Sequence, residues 1–248
     1  MIAYTPVDIK VIPTVEKFNT ITVLFDKSYV GLSLEIYLDV CRRVDPEKNF
    51  GQAVGRGDAY FFNVDEKKVV LRHYRRGGFV ARAVSDRYLF LSLESSRPWR
   101  EWNLLSKLFQ MGFPVPRPVA ATVQRCGLFY RADLITEFIP ASVTFADALM
   151  LGRLDEKLWV SLGRLIRRFH DAGVFHADLN ARNILIDNKS NFTLIDFDKG
   201  AIRSDGRWKR ATLYRLKRSL NKFKNNSPDF HFLDQDWNSL MKGYRKTS

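Results

Sequence analysis

The chain has 248 residues, 46% of them hydrophobic, and carries 40 Lys and Arg against 27 Asp and Glu, a formal net charge of +13. That length suits one two-lobed unit or two small domains, and the apolar content suffices for a packed core, so a globular protein is expected. Two cysteines, Cys41 and Cys126, form neither a disulfide framework nor a metal-ligand spacing, which points to a reducing compartment. No apolar run approaches the roughly 18 residues of a membrane span, and the start, Met1 to Asp8, lacks a basic n-region and a long apolar h-region, so export is not expected. A charge this large attracts polyanions. Nucleic acid, an anionic membrane face and an anionic substrate all qualify, but no module with stacked aromatics or a zinc finger is present, so no nucleic acid is expected.

The first fifty residues mix short β-like runs, such as Ile21 to Phe25, with a helix expected over Leu32 to Cys41. Next comes the stretch Gly51 to Ala59, with Gly55 and Gly57, then an aromatic strand Tyr60 to Phe62, a turn at Asp65 to Lys67 and a strand Val69 to Arg72. Glycine-rich turn, strand, turn, strand is the order of a loop that covers nucleotide phosphates, because glycine lets backbone amides approach the phosphate oxygens. A simple hairpin turn is the competing reading of Gly55-Arg56-Gly57, and Tyr60 stands where a third glycine would fall.

Arg72 ends its strand where protein kinases carry a lysine for the nucleotide phosphates. Its fork of donors can bridge phosphate and carboxylate, though with different geometry. The partner would be Glu101, on a helix expected from Pro98 to Met111 with Trp102, Leu105, Leu108 and Phe109 as apolar stripe. Glu101 as an exposed carboxylate in the helix's first turn is an equal alternative. Phe113 to Pro118 reads as a stiff connector; Val119–Val123 and Leu128–Tyr130 read as a strand pair turning at Arg125-Cys126-Gly127. Leu134 to Pro140 then reads as a strand running into a hinge, where the backbone of Glu137 to Ile139 is the expected adenine contact by its place in the order of elements.

Asp155 suits an N-cap for a helix with Leu158, Leu162, Leu165, Ile166 and Phe169 on one face, ending near Gly173. The run that follows, His176-Ala177-Asp178-Leu179-Asn180-Ala181-Arg182-Asn183, has the form H-x-D-x-x-x-x-N. Thirteen positions after Asn183, a strand from Phe192 to Ile195 ends in Asp196. This spacing suits phosphoryl transfer: Asp178 to orient or accept the acceptor proton, Asn183 and Asp196 to hold magnesium, which prefers oxygen donors. A polar turn with a packed core histidine is the competing reading; if the motif is a kinase loop, His176 orients it by bonding to backbone or to Asp196.

From Arg207 to Lys224 the sequence reads as an amphipathic helix, with Leu213, Leu216, Leu220 and Phe223 at helical spacing and Lys209, Arg210, Lys217, Arg218, Lys222 and Lys224 around them. Its leucines either pack on the core or lie in a membrane surface. Only 65 residues follow Asn183, with no A-P-E segment, so a small or lipid-linked acceptor is expected rather than a protein.

The segments Gly55-Arg56-Gly57, Leu71 to Gly78 (LRHYRRGG), Asp86 to Phe90, Phe113 to Pro116, Tyr130-Arg131-Ala132-Asp133, the 176–183 loop and Leu194 to Gly200 resemble the lipopolysaccharide kinase family of Gram-negative bacteria, and within it the kinases acting on 3-deoxy-D-manno-octulosonic acid (Kdo). The resemblance spans about residues 50 to 225. It implies an α+β, two-lobed, protein-kinase-like fold, with a β-rich N-terminal lobe over 1–139 and a reduced, mainly helical lobe over 140–248. It further implies phosphorylation of the 4-hydroxyl of Kdo on a lipid A precursor, using ATP and magnesium, by a peripheral protein at the cytoplasmic face of the inner membrane. Such an acceptor is anionic and sits in an anionic bilayer, so Arg75, Arg76 and the 207–224 helix are expected to engage acceptor or membrane. A heptose kinase or aminoglycoside-type phosphotransferase, or a non-catalytic nucleotide- or membrane-binding scaffold, are the alternatives.

Overall fold

The computed structural model describes residues 10–29, 59–64, 67–75 and 86–245. The Gly55-Arg56-Gly57 turn, the helix expected over 32–41 and Arg76 lie outside the described residues. The chain forms two compact units, one of residues 1–112 with 116–138 and one of residues 113–115 with 139–248.

The first unit is an antiparallel sheet, because β-branched and aromatic residues recur in short runs separated by tight turns. Its strands are β1 (Pro13–Phe18), β2 (Ile21–Asp26), β3 (Ala59–Val64), β4 (Lys67–His73), β5 (Tyr88–Leu89), β6 (Pro118–Cys126) and β7 (Phe129–Glu137). They run in the order β1-β2-β6-β7-β4-β3, with β5 also paired to β7. The expected breaks at 124–127 and 131–133 differ from this: β6 and β7 are each nine residues long and meet at a two-residue turn where Gly127 adopts a φ of 63°. Arg131 and Asp133, polar residues that read as a gap, alternate with buried Tyr130, Ala132 and Leu134 on one continuous strand. Helix α1 (Arg97–Gln110), opened by Ser96 with proline in its first turn, packs Trp102, Leu105 and Leu108 against β6 and β7.

A charge pair is sealed into this unit. Arg117 donates to Asp26 from Nε (3.1 Å) and Nη2 (2.7 Å), the two side chains being 5% and 0% exposed. The second Asp26 oxygen accepts from the Ile12 and Ser28 amides, so the carboxylate is satisfied on all sides, as a charge so buried must be. The stretch read as a stiff connector thus ends in a structural cation that ties β6 to β2.

The second unit contains β8 (Ser142–Thr144), α2 (Phe145–Leu151), α3 (Glu156–Asp171), β9 (Val174–Phe175), β10 (Ile184–Asp187), β11 (Phe192–Leu194), β12 (Ala201–Ile202), α4 (Trp208–Asn226) and α5 (Asp234–Arg245). Small antiparallel sheets, β11-β10-β8 and β12-β9, bracket the 176–183 loop. Asp155 caps α3 by accepting from the Lys157 amide at 3.1 Å. The buried face of α3 is Trp159, Leu162, Gly163, Ile166, Phe169 and His170, whereas Leu158 and Leu165 are only half-buried. Two glycines explain the shift: a Cβ on Gly163 would lie 2.0 Å from the Leu240 carbonyl oxygen of α5, and one on Gly243 would lie 2.0 Å from the Val160 carbonyl oxygen. The helices therefore cross backbone to backbone, and His170 beside the crossing bonds Tyr244 Oη at 2.8 Å.

Because backbone cannot step aside as a flexible side chain can, Gly163→Ala should destabilise this unit by about 1–3 kcal/mol or more. Urea unfolding of Gly163→Ala beside an Arg164→Ala control on the exposed helix face tests it, and equal midpoints would refute the close crossing.

Candidate active site

The 176–183 loop is held by its own polar groups. His176, 4% exposed, accepts at Nδ1 from the Asp178 amide (3.2 Å), which leaves Nε2 to donate to the Ile195 carbonyl (2.9 Å). Burial pushes its pKa down, against the Ile195 carbonyl and the charges of Asp196 and Asp178, which accords with a neutral ring. The expected bond to backbone is the one formed. Asn183 donates to the Asp178 carbonyl at 2.9 Å, and its own carbonyl accepts from the Ile195 amide at 3.0 Å. Asp178 and Asp196 are therefore both pinned to the same two residues, His176 and Asn183, one through each neighbouring backbone group.

Asp196 sits at a φ of 63°, left-handed for a non-glycine residue, where the chain turns sharply out of β11. The next residue, Phe197, is fully buried and continues an aromatic column: His176 to Phe197 at 4.6 Å between centroids, Phe197 to Phe169 at 6.1 Å, Phe169 to Phe113 at 4.7 Å. Asn180 is the hub of the turn, accepting from the amides of Arg182 (2.8 Å) and Asn183 (3.2 Å) and donating to Asp178 Oδ2 (3.0 Å). The Asp178 carboxylate is exposed, and Arg215 of α4 reaches its Oδ1 at 3.3 Å.

The donor set fits a hard cation. The Asn183 side-chain nitrogen is spent on the Asp178 carbonyl, so its Oδ1 is the atom that can serve as an oxygen donor, and Asp196 adds a carboxylate. Among the described residues no three His, Cys, Asp or Glu side chains gather as a metal cage. An amide oxygen and a carboxylate are the small protein contribution that suits magnesium, which takes its other ligands from phosphate and water.

In the sheet unit, Arg72 Nη2 meets Glu101 Oε2 at 2.6 Å, and Tyr74 Oη donates to the same oxygen at 2.5 Å. Glu101 is 2% exposed, which overturns its alternative reading as a solvated first-turn carboxylate. Arg72 remains more than a quarter exposed. At the expected hinge, the Glu137 amide donates to the Arg117 carbonyl at 2.9 Å, and its carboxylate accepts from Tyr29 Oη and from Lys67 at 3.4 Å. Burial, with the Glu137 carboxylate second, pushes the Tyr29 phenol pKa up. The Glu137 N–H is thus committed to the Arg117 carbonyl. Ile139 begins the other unit, its carbonyl accepting from Ser142 Oγ at 2.8 Å.

The motif residues His73 and Asp133 are cross-strand partners on β4 and β7, with Nδ1 and Oδ1 2.6 Å apart. Thr122 donates to the other Asp133 oxygen at 3.3 Å, and Asp86 lies 4.0 Å from His73 while making a bent charge contact with Arg131 at 2.6 Å. Burial works against a charge on His73, but the hydrogen bond and charge of Asp133, with Asp86, outweigh it and raise its pKa.

Sequence reasoning missed Arg215, Tyr74 and Tyr29. Arg215 lies between Leu213 and Leu216 on the expected helix, and its ion pair with Asp178 depends on where α4 packs, which no periodicity reveals.

The loop, the strand-end aspartate and the cation–carboxylate pair are those of the protein-kinase-like phosphotransferases. The chain belongs, more narrowly, to the lipopolysaccharide kinase (Kdo/WaaP) family, whose model matches residues 42–244. It is 43% identical over 175 residues to a 3-deoxy-D-manno-octulosonic acid kinase of Vibrio cholerae serotype O1, covering 71% of this chain and 74% of that one. Proteins of the same name from Photobacterium profundum (42% over 197 residues, 79% and 83% covered) and Vibrio vulnificus (37% over 229 residues, 92% and 97% covered) are also similar.

A group whose folded pKa is raised stabilises fully below its unfolded value, about 6.5 for histidine, and the gain is lost as pH rises through the folded pKa. Melting temperatures of the intact protein should therefore carry a decline that begins above about pH 6.5. Asp133→Asn should lower the melting temperature at the acidic end and flatten that decline; an unaltered pH profile would remove His73 as its source.

Proposed function

We propose that this chain transfers the γ-phosphoryl group of ATP to the 4-hydroxyl of Kdo on a lipid A precursor, in lipopolysaccharide core biosynthesis. The observation that carries the reading is the fixing of Asp178 relative to Asp196 through His176 and Asn183, in a family whose similar members are named for this sugar acid.

In the reaction, the acceptor oxygen forms a bond to the γ-phosphorus as the bond to the β,γ-bridging oxygen breaks. Asp178 takes the acceptor's proton, and ADP leaves with the bridging oxygen. Asn183 and Asp196 would hold magnesium, which would neutralise charge on the phosphates when bound. Arg72, oriented by Glu101 and Tyr74, binds nucleotide phosphate; Gly55 and Gly57 give the phosphates backbone donors; the Glu137 carbonyl and Ile139 serve the adenine. The test is mass spectrometry of a Kdo-bearing lipid A precursor after incubation with Mg-ATP. The intact protein should add one phosphate to the Kdo sugar, at the 4-hydroxyl by NMR, and Asp178→Ala should be slower by about 10²–10⁴-fold. Phosphate on a heptose, or none with ATP bound, would sink the assignment of acceptor.

The acceptor is part of a lipid, so we place the protein peripherally at the cytoplasmic face of the inner membrane. No described helix is long and apolar enough to cross a bilayer. The leucines of α4 do not supply a surface-inserting face, since Leu213, Leu216 and Leu220 are 7%, 0% and 0% exposed and belong to the core. Attraction falls instead to cations: Arg210, Lys217, Lys242 and Arg245 line a groove between α4 and α5, with Lys217 5.5 Å from the centroid of Trp237. Such residues contribute about 1 kcal/mol each near an anionic surface, screened by salt. Arg210→Glu with Lys217→Glu should weaken sedimentation with phosphatidylglycerol vesicles and reduce its salt sensitivity; unchanged sedimentation would exclude this face.

A further inference from the structure

A cleft of about 610 Å³ opens beside Asp178 inside the helical unit, and its wall is cationic: Arg182 of the loop, and Arg215, Arg218 and Lys222 of α4. The three α4 residues stand at i, i+3 and i+7, one face of the helix. Ser219, from the same stretch, accepts from the Ala181 amide at 3.3 Å, so the helix is tied to the catalytic loop at that point. Among the described residues, Arg215 alone of the four is spent on a carboxylate, that of Asp178. Arg182 lies over the Phe223 ring at 5.1 Å, which places its guanidinium without neutralising it. Among the described residues Arg182, Arg218 and Lys222 form no ion pair.

Three unneutralised cations held around one exposed carboxylate are a site for an anion that must come close to that carboxylate. The acceptor proposed above is a sugar acid, ionised at neutral pH. Its carboxylate belongs to the same sugar as the hydroxyl offered to Asp178, so it arrives within a few ångströms of a like charge. We infer that Arg182, Arg218 and Lys222 bind the acceptor's carboxylate, while Arg215 shields and orients Asp178; this rests on the function proposed above. Selectivity for a sugar acid over a neutral sugar then resides in α4, through charge-assisted bonds that a neutral acceptor cannot form.

The experiment compares two acceptors, the Kdo-bearing lipid A precursor and the same molecule with its Kdo carboxylate converted to the carboxamide. Arg218→Gln, Lys222→Gln and the double variant are each checked for an unchanged melting temperature. For the free acid, kcat/KM should fall roughly 10- to 100-fold in the double variant, carried mainly by KM, while for the carboxamide it should fall less than about threefold. Equal losses on both acceptors would overturn the site, since the cations would then be reading something other than the carboxylate. An unsubstituted protein that turns over neither acceptor would instead overturn the function proposed above, and this site with it.

Discussion

Two hydrogen bonds of one buried imidazole organise the catalytic end of this protein. His176 accepts from the Asp178 amide and donates to the Ile195 carbonyl, so Asp178 and the residue preceding Asp196 are set by the two nitrogens of a single ring. The arrangement requires the neutral tautomer, and burial, by pushing the pKa down, favours it. Asn183 repeats the tie with a side-chain bond to the Asp178 carbonyl and a backbone bond to Ile195. Since Phe197 must then follow a left-handed Asp196 into the core, the aromatic column through Phe169 and Phe113 holds the turn from behind.

The sheet unit uses the same economy with charges. Glu101 is almost fully buried yet receives both Arg72 and Tyr74, leaving the guanidinium partly exposed for another anion. His73 and Asp133 pair directly across adjacent strands, and the Tyr74 amide donates to the Ala132 carbonyl, so the start of the His-Tyr motif and the end of the Tyr-Arg-Ala-Asp motif lie side by side. Arg117 and Asp26 form a deeper pair whose hydrogen bonds are complete, as befits a structural rather than a reactive group.

Helix α4 concentrates part of the chain's positive charge while anchoring itself in the core. Its leucines serve the core, so the same residues that suggested a membrane-lying helix instead anchor it, and two cationic surfaces remain on its other sides. One faces the groove with α5 and the other faces Asp178.

The sequence by itself determined the linear chemistry. The spacing of His176, Asp178, Asn183 and Asp196 is local, set by one loop and one hairpin, and such short-range constraints are written in consecutive residues. The N-cap at Asp155, the proline-opened α1 and most strands were legible for the same reason. Tertiary structure alone decided what depends on partners far along the chain. The register of β4 on β7 joins residues 60 apart, and Glu101 is a buried acceptor rather than a solvated carboxylate only because α1 packs against the sheet. Periodicity assigned α3 a leucine face, but the close crossing at Gly163 and Gly243 rotated it toward Trp159 and His170. Arg215 became part of the site because α4 lies across the loop, a fact of packing that no pattern within the helix encodes.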